Sequence, residues 1–403
     1  MNGLLQADAV SGSPPSLDHQ ATTPSDPAVV AALEPYWRQD FANASSRLHR
    51  PGLLAAAALE QARRRLAATL GARAEQVLFT SGATEANNLA LKGLAEAERT
   101  RGGNRRHLIT VATEHRAVLE PITALARQGH EVTMLPVEAN GLLDLGRLQA
   151  ALRPDTLAVS VMAANNEIGV LQPLTAIARL CRERGVRLHC DGAQAVGHLR
   201  LRVQELGLDL LSLSGHKFHG PKGIGALVVA DGVVLAPQMH GGDQERGLRA
   251  GTLPLPLIMG LAEAASLAEA DREERQQRLG ALRDRLWTAL ESLGDVTCNG
   301  DLRHRLAHNL NVSIGGVDGT RLHQELRRHL AVSSGSACSQ GRPSHVLTAL
   351  GRTRQQATAS IRFSFGRPTT DADIDRAIEV VARTVQDLRG AAGGRRNDGA
   401  ING

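Results

Sequence analysis

The chain has 403 residues, which favours two domains and excludes one small sandwich or helical bundle. Its 42% hydrophobic and 22% charged residues are typical of globular proteins and exclude the disordered and fibrous classes. The formal net charge of +5 is scattered along the chain, and two Trp, one Tyr and five Phe provide few stacking surfaces, so no nucleic-acid partner is expected.

Residues 1–16 contain no basic residue and no apolar run, so we predict a flexible segment there and no targeting signal. Apolar runs elsewhere fall well short of the roughly 20 residues that a membrane span needs. The four cysteines have no CxxC spacing, which indicates free thiols in a reducing compartment. We therefore expect a cytoplasmic protein without a membrane partner.

Short apolar runs alternate with helical patterns from Val77 to Val229. The runs predict strands at 108–111, 131–135, 157–161, 186–189, 208–213 and 224–229, and the patterns predict helices at 117–127 and 177–184. This alternation predicts an α/β fold, in which a large domain over 17–256 is built on a mainly parallel sheet flanked by helices. Ligands of such sheets bind at the carboxyl ends of the strands.

The pattern changes after Pro256. A long helical pattern at 257–293 predicts a connector into a smaller α+β domain, and the two together cover 257–389. This domain has predicted strands at 309–314 and 361–365 and predicted helices at 320–329 and 371–388, the last capped by Thr370. The Gly- and Arg-rich tail 390–403 is predicted to be disordered.

The first chemical motif lies at 79–87, where a strand runs into a Ser-Gly-Ala-Thr turn and then a helix. Backbone N–H groups at such a helix start suit a phosphate, because the small residues allow it to approach closely. By itself, this pattern is more typical of an ordinary helix cap.

Two later strand ends favour the phosphate interpretation. Lys217 follows the strand 208–213 within a crowded Ser, His and Gly segment, where burial of its amine favours Schiff-base chemistry. Asp191 ends the neighbouring strand, where its carboxylate can keep a pyridine nitrogen protonated. A phosphate site, an Asp and a Lys on successive strand ends together predict pyridoxal 5′-phosphate as the cofactor.

Six motifs follow one another in the chain. They are SerGlyAlaThrGlu (81–85), AsnAsnGluIleGly (165–169), AspGlyAlaGln (191–194), SerGlyHisLys (214–217), ArgAlaGlyThr (249–252) and SerSerGlySerAlaCys (333–338). With them the chain resembles, from residue 17 to about 388, the NifS/IscS-like group I cysteine desulfurases in the class V aminotransferase family of fold type I pyridoxal-phosphate enzymes. It departs from that family at His19 and Gln20, where Tyr and a small residue are common.

The resemblance implies a role for each motif. Lys217 binds the cofactor covalently, Asp191 pairs with its ring nitrogen, and His115 stacks on the ring and moves protons. Gln194 bonds the phenolic oxygen of the ring. The phosphate is held by Ala83, Thr84, Ser214 and His216, and Thr252 reaches it from the other subunit of a homodimer. Asn166 and Arg362 bind the substrate carboxylate, which Arg grips through two parallel hydrogen bonds.

The resemblance assigns the sulfur chemistry to Cys338. Its small and polar neighbours predict a mobile loop, as a thiol needs if it enters the pocket and then delivers sulfur elsewhere. We interpret Cys181, Cys190 and Cys298 as buried and inert. The implied reaction converts L-cysteine to L-alanine and a persulfide on Cys338, which passes to a sulfur acceptor such as an iron–sulfur scaffold protein.

Three alternatives stay open at this point. A selenocysteine lyase would share the cofactor site, an aminotransferase or epimerase of the same fold would not need Cys338, and a non-catalytic interaction protein would need none of these groups. No resident metal is expected: His304 and His308 are four residues apart without a third ligand and are interpreted as a solvated surface. Cys338 is expected to meet an iron–sulfur cluster only transiently.

Overall fold

The computed structural model of the chain describes residues 14–334 and 344–397, with side chains up to residue 391. The helices are α1 (Pro27–Leu33), α2 (Pro35–Arg38), α3 (Arg50–Thr69), α4 (Ala83–Thr100), α5 (Arg116–Arg127), α6 (Leu145–Ala151), α7 (Leu174–Glu183), α8 (Val203–Leu206), α9 (Leu255–Ala270), α10 (Arg272–Glu291), α11 (Gly319–Leu326), α12 (His345–Ala349), α13 (Arg354–Thr358) and α14 (Asp371–Asn397). The strands are β1 (Val77–Thr80), β2 (His107–Val111), β3 (Glu131–Leu135), β4 (Thr156–Ser160), β5 (Arg187–Asp191), β6 (Leu210–Ser214), β7 (Gly225–Val229), β8 (Val296–Cys298), β9 (Asn309–Ile314) and β10 (Ser360–Ser364).

The large unit is built on a seven-stranded sheet with the order β1-β7-β6-β5-β4-β2-β3. Strands β6, β5, β4, β2 and β3 are parallel, and β7 runs antiparallel to both β6 and β1. Successive residues of β1 show that both faces are covered, because Val77 and Phe79 pack into one core and Leu78 into another. The predicted α/β fold with a mainly parallel sheet is confirmed.

The smaller unit contains the antiparallel sheet β10-β9-β8. Along β9, the apolar residues Leu310, Val312 and Ile314 pack into a core of their own. The residues that alternate with them, Asn309 and Asn311 among them, are also buried and lie on the face opposite that core. This buried polar face meets the large unit, where Asn311 Nδ2 donates to the Glu167 carbonyl at 3.0 Å.

The boundary between the two units differs from the prediction. The helical pattern at 257–293 forms two helices that are separated at Asp271. Helix α9 packs against α3 and buries its apolar residues, Ile258 and Leu261 among them, in the core of the large unit. At the other end of the chain, Leu17 packs into the core of the small unit, so the large unit does not begin there.

The chain ends also differ in part from the prediction. Of the predicted flexible segment 1–16, residues 1–13 lie outside the described part of the chain, whereas Ser16 pairs with Ala331. Helix α14 begins after Thr370, whose Oγ1 accepts from Asp373 N at 3.2 Å, as predicted. It continues to Asn397, into the segment 390–403 that was predicted to be disordered. The helix is attached to the small unit up to Arg389, whose guanidinium donates to the Leu293, Gly294 and Gly315 carbonyls.

Buried histidines lie where the two units meet, and their placement corrects the prediction for His308. His304 is exposed as predicted, but His308 is buried and stacks on His198 with ring centroids 4.0 Å apart. The His198 ring in turn contacts the Lys217 carbonyl at 3.1 Å. Burial lowers the pKa of His308 well below its usual value, and neighbouring His198 and Arg275 lower it further. No helix of the described residues is long and apolar enough to cross a membrane.

We predict that this cluster makes the protein less stable in mild acid. Below its ordinary pKa of about 6.5, His308 gains a proton in the unfolded chain but not in the folded one, so the free energy of unfolding falls as the pH falls. His308→Phe keeps a ring against His198 and removes the titration. Urea denaturation at several pH values from 7 to 5 gives the free energy of unfolding at each pH. In His308→Phe this free energy should fall less steeply with falling pH, with a slope smaller by up to about 1.4 kcal/mol per pH unit. His304→Asn is the control, and equal slopes in His308→Phe and the unaltered protein would contradict the prediction.

Candidate functional site

A cavity of about 470 Å³ opens where the carboxyl ends of the large sheet meet the small unit. Strands β1, β2, β4, β5 and β6 each lead into residues that line it. Ten of the predicted site residues form part of its wall: Ala83, Thr84, His115, Asn166, Asp191, Gln194, Ser214, His216, Lys217 and Arg362. The structure therefore brings together residues that are up to 279 positions apart in the sequence, since the strand ends converge on this edge.

Lys217 lies in the turn Gly215–Lys217 that follows β6. Its Nζ donates to the backbone carbonyls of Gln20 at 2.7 Å and Ala21 at 2.9 Å. The same N-terminal segment is attached to the turn a second time, through a bond from Thr23 N to the His216 carbonyl at 3.0 Å. These bonds direct the amine into the cavity wall and fix its position, as a covalent bond to a cofactor requires.

Asp191 is the last residue of β5, next to β6, and is 5% exposed. Its Oδ1 accepts from Ala193 N at 2.9 Å, and its Oδ2 accepts from Asn87 Nδ2 at 2.7 Å. These donors fix the Asp191 carboxyl group in the wall, where it can pair with a ring nitrogen. Sequence reasoning missed Asn87, although it lies one helical turn after Ala83 and so on the same face of α4.

The start of α4 forms the other end of the cavity. Gly82 precedes the helix with a φ of +153°, and no side chain caps the first turn, so the first N–H groups of α4 are available to an anion. Ser214 and His216 line the same cavity, and Ser214 Oγ would lie 3.5 Å from a Cβ on Gly82. Burial, together with Lys217 and Lys222, lowers the pKa of His216 to about 4, so its ring is neutral and acts as a hydrogen-bonding group.

His115 caps α5, with Nδ1 accepting from Ala117 N at 3.1 Å. Burial lowers the pKa of His115 from its usual value, which favours the neutral ring and places its single proton on Nε2. The adjacent Glu114 is fully buried, and its Oε1 accepts from Met162 N at 2.5 Å. Burial and then the charge of Asp191 raise the pKa of Glu114 well above its usual value, so this carboxyl is neutral.

Arg362 and Asn166 lie at the end of the cavity that faces the small unit. The Arg362 side chain is almost fully buried, and its two terminal nitrogens donate to Asp18 Oδ1 at 2.5 Å and to the Asn166 carbonyl at 2.8 Å. Its Nε has no partner among the described residues. Sequence reasoning missed Asp18, which directly precedes His19 near the start of the segment that resembles the family.

Two predicted site residues are not found in the described wall of this cavity. Thr252 is exposed and does not line it, and Cys338 lies outside the described residues. The described residues on either side of 335–343 are fixed, however. Ser333 pairs with Arg362 through two backbone bonds, and Ser344 Oγ donates to the Glu167 carboxylate. Both ends of the segment that carries Cys338 are therefore anchored at the Arg362 end of the cavity.

The other cysteines differ from one another. Cys181 and Cys190 are buried as predicted, and burial raises the pKa of Cys181 to about 12. Cys298 is only half-buried on the edge strand β8, because its sulfur is turned towards Arg305, whose Nη1 donates to it at 2.9 Å. The described residues contain no group of His, Cys, Asp and Glu that could hold a metal ion.

The residues of the wall fit pyridoxal phosphate. The uncapped start of α4 offers N–H donors to a phosphate, the anchored Asp191 carboxylate suits a ring nitrogen, and Lys217 lines the same cavity. A close contact supports the phosphate end. A Cβ on Gly225 would lie 2.7 Å from the Cα of Gly82, so β7 can approach this turn only because residue 225 is a glycine. Lys217, Asp191 and the α4 start thus form one site.

Comparisons with known proteins agree with this geometry. Residues 16–377 match the family model described as aminotransferase class-V. The chain is 49% identical to a protein of Vibrio campbellii named cysteine desulfurase IscS, over 93% of each chain. It superposes on a solved NifS-like protein with a TM-score of 0.87, 34% identity and coverage of 93% of this chain and 100% of the other. A structure described as SspA in complex with cysteine gives a TM-score of 0.78, with 35% identity and coverage of 89% and 100%.

We predict that Asn87→Ala weakens cofactor retention, because the Asp191 carboxylate loses a buried charge-assisted donor. The dissociation constant of pyridoxal phosphate, measured by equilibrium dialysis with absorbance, should rise roughly tenfold or more. Asn104→Ala is a matched control, since Asn104 is exposed and does not line this cavity. Unchanged retention in Asn87→Ala would show that Asn87 does not support Asp191.

Proposed function

The chain belongs to the class V aminotransferase family and, within it, is a pyridoxal-phosphate-dependent cysteine desulfurase, and from this premise we propose the roles of its residues and its partners. One observation carries the proposal. The amine of Lys217 lies in the wall of a single cavity that also contains the anchored Asp191 carboxylate and the Arg362 guanidinium. A cofactor site and a carboxylate site therefore share one space.

The substrate is L-cysteine. Arg362 and Asn166 line the small-unit end of the cavity, where a guanidinium and a side-chain amide suit an α-carboxylate. The structural neighbour described as SspA in complex with cysteine supports this choice of amino acid. Because Lys217 lines the same cavity as these two residues, a substrate held by its carboxylate would have its α-carbon within the space that the amine faces.

Pyridoxal phosphate, when bound, withdraws electrons from the α-carbon of an amino acid. The residues of the chain then manage protons and charge around it. Lys217 Nζ, released from its bond to the cofactor, takes the α-proton, and the carbonyls of Gln20 and Ala21 hold this amine in place. The neutral ring of His115 carries its proton on Nε2 and can supply it within the cavity.

Cys338 receives the sulfur. Its thiolate attacks the sulfur atom of the substrate, so a sulfur–sulfur bond forms while the carbon–sulfur bond breaks. The electron pair of the broken bond stays on the β-carbon, which takes up a proton. The α-carbon regains the proton that Lys217 took, so that L-alanine leaves. The persulfide on Cys338 then passes its outer sulfur to the thiol of an acceptor protein, and the relatives named IscS support an iron–sulfur scaffold or a thiolation pathway as the destination. The cytoplasm suits this chemistry, because a thiol carrier needs reducing conditions.

A homodimer completes the site. Thr252 belongs to a motif that reaches the phosphate in the family, yet within one chain it is exposed and outside the cavity. The surface near the N-terminus also exposes large apolar side chains, with Phe41 76% and Leu48 100% exposed. Exposed apolar groups of this size favour burial against a second copy of the chain.

The test of the reaction is to add L-cysteine to the purified holoenzyme and measure alanine and sulfide. Lys217→Ala should produce no alanine, because the cofactor-binding amine and the proton acceptor are one group. Lys92→Ala is its matched control. L-Selenocysteine as a competing substrate separates a desulfurase from a selenocysteine lyase, and alanine formation at the normal rate in Lys217→Ala would overturn the proposed roles.

Cys338→Ala should still bind the cofactor and change its absorbance when L-cysteine is added, because the groups around Lys217 are intact. It should form no protein persulfide, as measured by mass spectrometry of the alkylated protein. Cys298→Ser is the matched control and should form the persulfide normally. A persulfide on Cys181, Cys190 or Cys298 in normal yield would contradict the role of Cys338.

We predict that Phe41→Arg dissociates the dimer, because a charged side chain at this surface opposes its burial against a second copy. Cofactor occupancy should fall as well, because each site then lacks the Thr252 that the other subunit supplies. Sedimentation and absorbance measure the two effects on one sample. Leu302→Arg is the control, since Leu302 is also exposed but lies on the small unit. Full cofactor occupancy in an unaltered protein that sediments as a monomer would contradict the proposed dimer.

A further inference from the structure

The side chain of Gln20 lies at the substrate end of the cavity without an assigned role. Gln20 is one of the two positions at which the N-terminal motif departs from the family, and it is 2% exposed. It lines the same cavity as Asn166 and Arg362. Its backbone carbonyl holds Lys217 and Gln194, but those bonds do not involve the side chain.

The orientation of the Gln20 amide is determined by its neighbours. Its Oε1 accepts from Asn309 Nδ2 at 2.5 Å, and the same Nδ2 donates to the Glu167 carbonyl at 3.2 Å. A carbonyl can only accept, so the atom of Asn309 at this point is the nitrogen and the atom of Gln20 facing it is the oxygen. Gln20 Nε2 must therefore point elsewhere, and it has no partner in the part of the chain that the structure describes.

A second donor without a partner lies close by. Gln20 N donates to Ser364 Oγ at 2.9 Å, and Ser364 is two residues after Arg362 on the same face of β10. Arg362 Nε also has no partner among the described residues. A buried donor without an acceptor is costly, so two of them on residues that line one cavity indicate an acceptor that the ligand supplies.

The chemistry of the substrate identifies this acceptor. A carboxylate offers two oxygens with about four acceptor sites, whereas a thiol sulfur accepts only weakly. Arg362 needs help in holding a carboxylate, because Asp18, 2.5 Å from one of its terminal nitrogens, already offsets part of its charge. A neutral amide donor adds a hydrogen bond at this point without adding another charge.

We propose that Gln20 is a specificity-determining residue whose Nε2 donates to the α-carboxylate of the substrate, beside Arg362 and Asn166. This inference rests on the proposed function, since it concerns the same amino-acid substrate. Its oxygen is held by Asn309 on β9, so the donor is placed before the substrate arrives. The residue thereby favours substrates with a carboxylate over simple thiol amines.

The experiment measures ligand binding to holoenzyme through the change in cofactor absorbance. The probes are L-cysteine, the product L-alanine, and cysteamine, which has a thiol and an amine but no carboxylate. Gln20→Glu keeps an oxygen for Asn309 and replaces the donor by an anionic oxygen, whereas Gln20→Ala removes both groups. Gln204→Glu, at an exposed position of α8, is the charge-matched control. Thermal unfolding and cofactor content are measured for every variant.

We expect the dissociation constants of L-cysteine and L-alanine to rise roughly tenfold or more in both Gln20 variants, and most in Gln20→Glu, while that of cysteamine changes little. An equal loss for L-alanine and cysteamine, or a loss for L-cysteine without one for L-alanine, would overturn the assignment to the carboxylate. Unchanged constants in Gln20→Ala would do the same. Alanine formation from L-cysteine by the unaltered holoenzyme is measured on the same samples, and its absence would contradict the proposed function rather than the role of Gln20.

Discussion

Buried polar groups must be hydrogen-bonded, and this requirement organises the contact between the two units. The polar face of β9 and β10 carries no apolar residue that could pack against the large sheet. Its donors instead meet the backbone after β4, with Asn309 and Asn311 both donating to the Glu167 carbonyl and Arg362 donating to that of Asn166. Because those carbonyls are fixed points, the small unit can dock in one register, and that register places Arg362 in the cavity.

The N-terminal segment connects this docking to the amine. Leu17 packs in the small core, and three residues later the carbonyls of Gln20 and Ala21 accept from Lys217 of the large unit. One short stretch of chain therefore links the small unit to the amine of Lys217. The positions of Arg362 and Lys217 relative to each other are set by hydrogen bonds that cross between the two units.

The sequence was most informative where one local pattern has one structural outcome. Alternating apolar runs predicted the strands, and strand ends with Asp191 and Lys217 predicted where the site lies. The positions that were missed depend on contacts across the fold: His308 looks like a surface residue beside His304, and only the packing of the two units buries it. Likewise, the helical period continues through Asp271, so the separate cores that divide α9 from α10 could not be read from it.

The anchoring of Ser333 and Ser344 has a kinetic consequence. Both anchors lie at the Arg362 end of the cavity, so in the proposed reaction the Cys338 thiol is tethered near its substrate at an effective concentration on the order of millimolar or above. The proposed first sulfur transfer is then unimolecular and insensitive to dilution of the enzyme. Delivery to an acceptor protein is bimolecular, so at low acceptor concentration the enzyme would accumulate as the sulfur-loaded form. A desulfurase built in this way would hold activated sulfur until its partner is abundant enough to take it.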